Sequence, residues 1–214
     1  MKKMVLFMGA VFALSTIQAQ NLSWGIHAGG GISNIHSGNS RVYNIKNKSA
    51  CFVGGEMDYF FSEHGVLQWG VDLIFSGTSY SVGDDYISNS ANGLNRIEYA
   101  HLEKRELSTV IPVSIGYRYR IGSRSHLIPS IGCYFNYALT DRHPDVTLNK
   151  DIPNSSEIRI QDYNRYDYGL QAALKGVIDK HYTVSIGYTY GLKSVSKDYG
   201  WKRQNLLLGL GYLF

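Results

Sequence analysis

The sequence predicts an all-β chain whose strands close into an eight-stranded antiparallel up-and-down transmembrane β-barrel. Three observations carry the prediction. Segments with large apolar residues at every second position recur along the chain, the period of a strand with one apolar face. The connections between them alternate short and long, as where tight turns lie on one side of a bilayer and loops on the other. The last segment, Asn205 to Phe214, places Leu206, Leu208, Leu210, Tyr212 and Phe214 on one face and stops on an aromatic residue. With 23 Gly and 17 Tyr against 4 Pro, the composition also suits strands and tight turns.

From the N-terminus, Lys2 and Lys3 precede an apolar run from Met4 to Leu14, and Ser15 to Ala19 supplies small residues before Gln20. This reads as a signal peptide over residues 1–19, with the barrel domain over 20–214. The run is too short for the roughly 20 residues of a spanning helix. Removing Lys2 and Lys3 leaves 21 − 2 = 19 basic groups against 17 acidic ones, so no case for nucleic-acid binding follows from the net charge of +4.

Eight outward-facing sets follow. They are Trp24, Ile26, Ala28 and Ile32; then Cys51, Val53, Met57, Tyr59 and Phe61; then Leu67, Trp69, Val71, Leu73 and Phe75. Next are Leu107, Ile111, Val113, Ile115, Tyr117 and Tyr119, followed by Leu127, Ile131, Cys133, Phe135, Tyr137 and Leu139. The last are Tyr166 through Ile178, Tyr182 through Leu192, and Leu206 through Phe214. The connections 62–65, 120–126 and 179–181 are short. Those at 33–50, 76–106, 140–165 and 193–203 are longer. A ten-stranded barrel results if Glu157 to Asp162 forms part of an extra hairpin. Cys51 and Cys133 match no metal or redox spacing and read as small apolar residues.

Charge placement fits lipid outside. Glu56, Asp58, Asp72, Arg118, Asp167 and Lys175 all fall on the parity opposite to the apolar sets. A Lys or Arg turned to lipid at mid-bilayer costs roughly 2–4 kcal/mol. With Gln68, Asn136 and Gln171 these residues are expected to fill the lumen as a polar network, Arg118 and Lys175 pairing with the acids. Tyr59, Phe61, Trp69, Tyr117, Tyr119, Tyr182, Tyr212 and Phe214 sit near turn ends; Tyr137, Tyr166, Tyr168, Tyr188 and Tyr190 sit near loop ends. Two such levels match interfacial aromatic belts.

Several stretches resemble the PorT-like outer-membrane β-barrel proteins of the Bacteroidetes. They are Trp24-Gly-Ile-His-Ala-Gly-Gly-Gly-Ile-Ser-Asn34, Cys51-Phe-Val-Gly-Gly-Glu56, Thr109-Val-Ile-Pro-Val113 and Ile186-Gly-Tyr-Thr-Tyr-Gly-Leu192, with the terminal Leu-Gly-Tyr-Leu-Phe. The resemblance implies a Gram-negative outer-membrane protein inserted by the barrel-assembly machinery, and the even strand count places both termini on the periplasmic side. Leu210, Tyr212 and Phe214 would form its assembly signal. For the eponymous member it also implies a part in protein secretion across the outer membrane.

The expected function is structural or partner-binding through extracellular loops, among outer-membrane lipid and lipopolysaccharide. An accessory role in secretion, with an envelope or secretion protein as partner, is the alternative. A lipid-modifying enzyme is a third reading, but none of the seven histidines has Ser two positions on, as outer-membrane deacylases require, so no catalytic residue is assigned. Gly29-Gly-Gly31 lacks the Lys-Ser/Thr of a phosphate loop. His101, Glu103, His143 and Asp145 follow no metal-ligand spacing, and no cofactor is expected. Tyr80, Tyr86, Tyr99 and Tyr163 offer stacking surfaces for partners, unless these loops are strands prolonged above the membrane, as Glu103-Lys-Arg-Glu106 suggests.

Overall fold

The alternating segments form strands that hydrogen-bond in a closed ring. The computed structural model describes residues 21–37, 42–87, 94–140, 145–148, 164–194 and 201–214, which carry eleven strands in one sheet. Eight make the barrel: β1 (Leu22–Ser37), β3 (Lys48–Phe60), β4 (Gly65–Ile87), β5 (Leu94–Tyr117), β7 (Ser125–Ala138), β9 (Tyr166–Ile178), β10 (Tyr182–Gly191) and β11 (Trp201–Leu213). Each is antiparallel to the next, and β11 returns to β1 in register from Gly25↔Leu213 to Ser37↔Trp201. Closure gives each of the eight barrel strands two partners, the condition for placing backbone amides in lipid.

Three short strands are additional. β2 (Val42–Lys46) pairs with β4, β8 (Asp145–Leu148) pairs with β5, and β6 (Tyr119–Ile121) continues past Arg118 beside β7. The ring is complete at eight because β7 pairs directly with β9. Glu157 to Asp162 and the signal segment 1–19 lie outside the described residues.

The tight connections at 62–65 and 179–181 fall where expected, while the one expected at 120–126 is tighter, because β6 carries the chain to Ile121 and β7 begins at Ser125. At 179–181 the chain turns through Asp179 and Lys180, both with positive φ, and His181 N–H donates to Ile178 O at 3.2 Å. Two such residues in succession make the turn whose twist suits a two-residue hairpin. The segment expected as a loop from Ser76 to Glu106 is mostly strand instead: β4 continues to Ile87 and β5 begins at Leu94. The prolonged-strand reading is therefore the one observed. Ser76 to Ser81 are buried on both faces, so alternation, which needs one apolar and one polar face, disappears there. Tyr80 is buried with them, which withdraws it as a stacking surface for partners. Tyr163 and the side chains of Tyr86 and Tyr99 lie outside the described residues. β11 likewise starts four residues before Asn205.

The apolar parity faces outward. Ile131 is 73 % exposed and Leu210 68 %, while Ile128 and Val66 on the opposite parity are fully buried. Cys51 and Cys133 are free thiols on that outer face. Inside, two glycine pairs seat aromatic rings. A Cβ on Gly29 or Gly209, which face each other across β1 and β11, would meet the Phe52 ring. One on Gly169 or Gly191, paired across β9 and β10, would meet Tyr134.

Candidate functional site: the layered lumen

The inward side chains stack in four layers, because strands of common height deliver like positions to one level. At the turn end Val66, Ile128, Val177 and Leu213 form a buried apolar cluster with Phe60 packed against it. Above it lies an ionic layer. Lys175 Nζ donates to Glu56 Oε2 at 3.1 Å and to both oxygens of Asp58 at 2.7 and 2.5 Å. Gln68 Nε2 donates to Asp58 Oδ1 at 2.9 Å. His27 Nε2 lies 2.6 Å from Asp72 Oδ1, and its Nδ1 is 3.9 Å from Glu56 Oε2. The ammonium has three donors and uses all of them, so burial leaves it no unmet demand.

Ile74, Val110 and Tyr134, with Phe52 and Leu207 against them, form the next apolar layer. Above them Arg203 Nη2 donates to Glu106 Oε1 at 2.5 Å, and Nη1 lies 3.4 Å from Asp167 Oδ2. Asn205 Nδ2 donates to Thr189 Oγ1 at 3.2 Å. All three charged side chains of this upper layer are under a tenth exposed.

Most residues expected in the lumen face it, but not all join one network. Lys175, Glu56, Asp58 and Gln68 come together; Asp72 reaches them through His27. Gln171 is not brought into hydrogen bond with any of them. Arg118 does not pair with the acids. Its Nε and Nη2 donate to Glu63 O at 3.1 and 2.6 Å, and its guanidinium lies 4.4 Å from the Phe60 ring centroid. It sits at the turn end, and the apolar layer separates it from Asp58. Sequence reasoning missed His27, Glu106 and Arg203. All three stand on the inward parity, but histidine was not counted as a charge, and the other two were taken as loop boundaries.

Leu210, Tyr212 and Phe214 lie on the outer face at the seam. Phe214 stacks on Trp24 at 4.2 Å between ring centroids, and its N–H donates to Trp24 O at 2.8 Å. Tyr212 contacts Phe214, Tyr182 and His181, so the turn-end belt is continuous across the join. Among the described residues no group of three or more His, Cys, Asp or Glu is placed to hold a metal ion. Glu103 pairs with Lys48 at 3.1 Å. His143 and the side chains of His101 and Asp145 lie outside the described residues.

A model of the outer membrane protein beta-barrel domain matches residues 18–197. The chain belongs to that family. This outer membrane β-barrel protein is also similar to solved barrels. Ail, the attachment invasion locus protein of Yersinia pestis, is 16 % identical over 91 % of this chain and 100 % of its own, with a TM-score of 0.41. The N-terminal β-barrel domain of Pseudomonas aeruginosa OprF is 12 % identical over 92 % and 100 %, TM-score 0.43. Neisserial surface protein A is 12 % identical over 91 % and 100 %, TM-score 0.43. No curated protein sequence matches the chain. Membership of the family assigns the protein to the Gram-negative outer membrane.

Proposed function

We propose that this protein is a non-conducting outer-membrane barrel, structural or partner-binding, with long loops outside and both termini in the periplasm. Residues 1–19 would serve as its signal peptide. The observation that carries the reading is the layered lumen, in which two sealed apolar layers alternate with ion pairs. A continuous water path would have to part both apolar layers. Planar-bilayer recordings should therefore show no stable open channel; sustained conductance from purified, folded protein would sink the reading.

The loop-end extension of β4 and β5, with β2 and β8 along its edges, supports a partner-binding role. It gives partner-binding loops a rigid base. This extension, with the PorT-like stretches, also favours the second reading, an accessory part in secretion. Removing 88–93 should then reduce secreted protein while leaving the barrel assembled; an unchanged secretome would reject that reading. The role is non-catalytic, so lipid A from wild-type and deletion strains should give the same mass spectrum. Leu210, Tyr212 and Phe214 would act as the signal read by the barrel-assembly machinery, so deleting Phe214 should lower the assembled fraction more than it lowers unfolding stability.

A further inference from the structure

On the outer face at the loop end, two lysines sit on tyrosine rings. Lys193 Nζ lies 3.2 Å from the Tyr166 ring centroid and Lys202 Nζ 5.8 Å from that of Tyr190. His36, paired in register with Lys202, tilts against the same Tyr190 at 6.4 Å. The Lys193 backbone is held in place, since its N–H and that of Leu192 donate to Tyr168 O at 3.4 and 2.9 Å. Asn164 Nδ2 donates to Ser194 O at 3.2 Å and ties the same corner to the start of β9.

Several described surface cations have carboxylate partners. Arg120 pairs with Glu63 at 3.1 Å, Arg124 with Asp179 at 3.4 Å, and Lys48 and Arg105 with Glu103 at 3.1 and 3.4 Å. Among the described residues no carboxylate pairs with Lys193 or Lys202. An aromatic ring orients an ammonium without neutralising it, so both keep charge for an anion. Their height is also specific. From Tyr182 in the turn-end belt, a strand tilted by about 40° rises roughly 28 Å on reaching Lys193, against an apolar band about 25 Å tall. The lysines therefore stand where hydrocarbon gives way to head groups, about 10 Å apart if two strand spacings separate them.

We propose that the loop-end rim of β9, β10, β11 and β1 binds the phosphorylated head group of an outer-leaflet glycolipid. Lys193 and Lys202 meet its phosphates, and Tyr166 and Tyr190 seat its sugars. Charge-assisted contacts to phosphate at this depth are made with little competing water. The site rests on the loops-outside orientation given above.

The test measures binding of purified, folded protein in neutral-detergent micelles to lipid A and to lipid A stripped of both phosphates. Wild type should hold phosphorylated lipid A roughly tenfold more tightly than the stripped form. The Lys193→Gln/Lys202→Gln variant should lose that preference, and Lys193→Arg/Lys202→Arg should keep it. Heat-modifiable gel mobility shows whether each variant is folded. A wild type that ignores the phosphates, or a folded glutamine variant that still prefers them, overturns the proposal. Orientation is read separately, by labelling Ser194→Cys in intact cells, in a background with Cys51→Ala and Cys133→Ala. Labelling with no phosphate preference defeats only the lipid site. Failure to label folded protein defeats the orientation and the site together.

Discussion

In the lower ionic layer Lys175 commits its three donors to two carboxylates, and Gln68 supplies a further bond to Asp58. In the upper layer Arg203 bonds Glu106 closely but stands 3.4 Å from Asp167. Neither Asp167 oxygen has a hydrogen-bond partner among the described residues, nor does Oδ1 of Asn136 or of Asn205. Among the described residues the lower layer lies between two apolar clusters, and the upper one has such a cluster beneath it. The lower layer is not complete either, since Glu56 Oε1 is buried without a partner among the described residues. The comparison teaches that the layers differ at the cation, Lys175 using every donor it has while Arg203 holds one acid closely and the other loosely. A buried ammonium whose three donors are all used has its desolvation offset, and removing it would leave two buried carboxylates without their cation.

The largest expected effect follows. Lys175→Met strands Asp58, which is 0 % exposed, together with Glu56, and should cost about 3–5 kcal/mol. Urea unfolding in lipid vesicles measures it. Replacing Asp58 and Glu56 by Leu in the same variant should restore part of the loss, since an apolar layer can stand in for a buried pair. Arg203→Met should cost less, about 2–3 kcal/mol, because Arg203 stands 3.4 Å from Asp167 and holds only Glu106 closely. A cost equal to that of Lys175→Met would break the distinction between the layers.

Gly169→Ala sharpens the comparison from the side of packing. The added methyl would meet the Tyr134 ring and the Tyr190 carbonyl, and overfilling of this kind costs about 1–3 kcal/mol. A neutral result would mean that the apolar layer beneath Arg203 yields freely. The smallest effect belongs to Glu103, above the membrane band. Lys48, by hydrogen bond and by charge, holds its carboxyl below the usual carboxylate range. The contribution of the pair is full above the ordinary carboxylate value and fades as pH falls through the lowered one. Glu103→Gln should therefore differ slightly from wild type near neutral pH and converge with it in acid. A gap that widens in acid would reverse the sign.

The barrel itself was legible because lipid imposes one apolar face, and the sets from Trp24 to Phe214 keep that period. The lower layer was legible for the same reason: Glu56, Asp58 and Lys175 interrupt apolar strands in mid-span, where a charge has only the lumen to enter. The upper layer was not. Glu106 and Arg203 stand at the ends of alternation, where a charge in a strand and a charge in a loop look alike. Ser76 to Ser81 hid the extension of β4, since a stretch buried on both faces and built of small polar residues carries no period. Arg118 kept the inward parity but stood below the apolar layer. Parity gives a side of the wall, not a height.

Phe52 has a further consequence for the seam. It belongs to β3, opposite Gly29, and its ring crosses β1 to reach Gly209 of β11. The join between the first and last strands is therefore fastened from inside by a third strand that takes no part in its hydrogen bonds. Unzipping β1 from β11 needs this latch to be drawn back into a lumen already filled. A barrel so fastened opens sideways into the bilayer only after its interior has loosened. Lateral opening and loss of the core then become a single event.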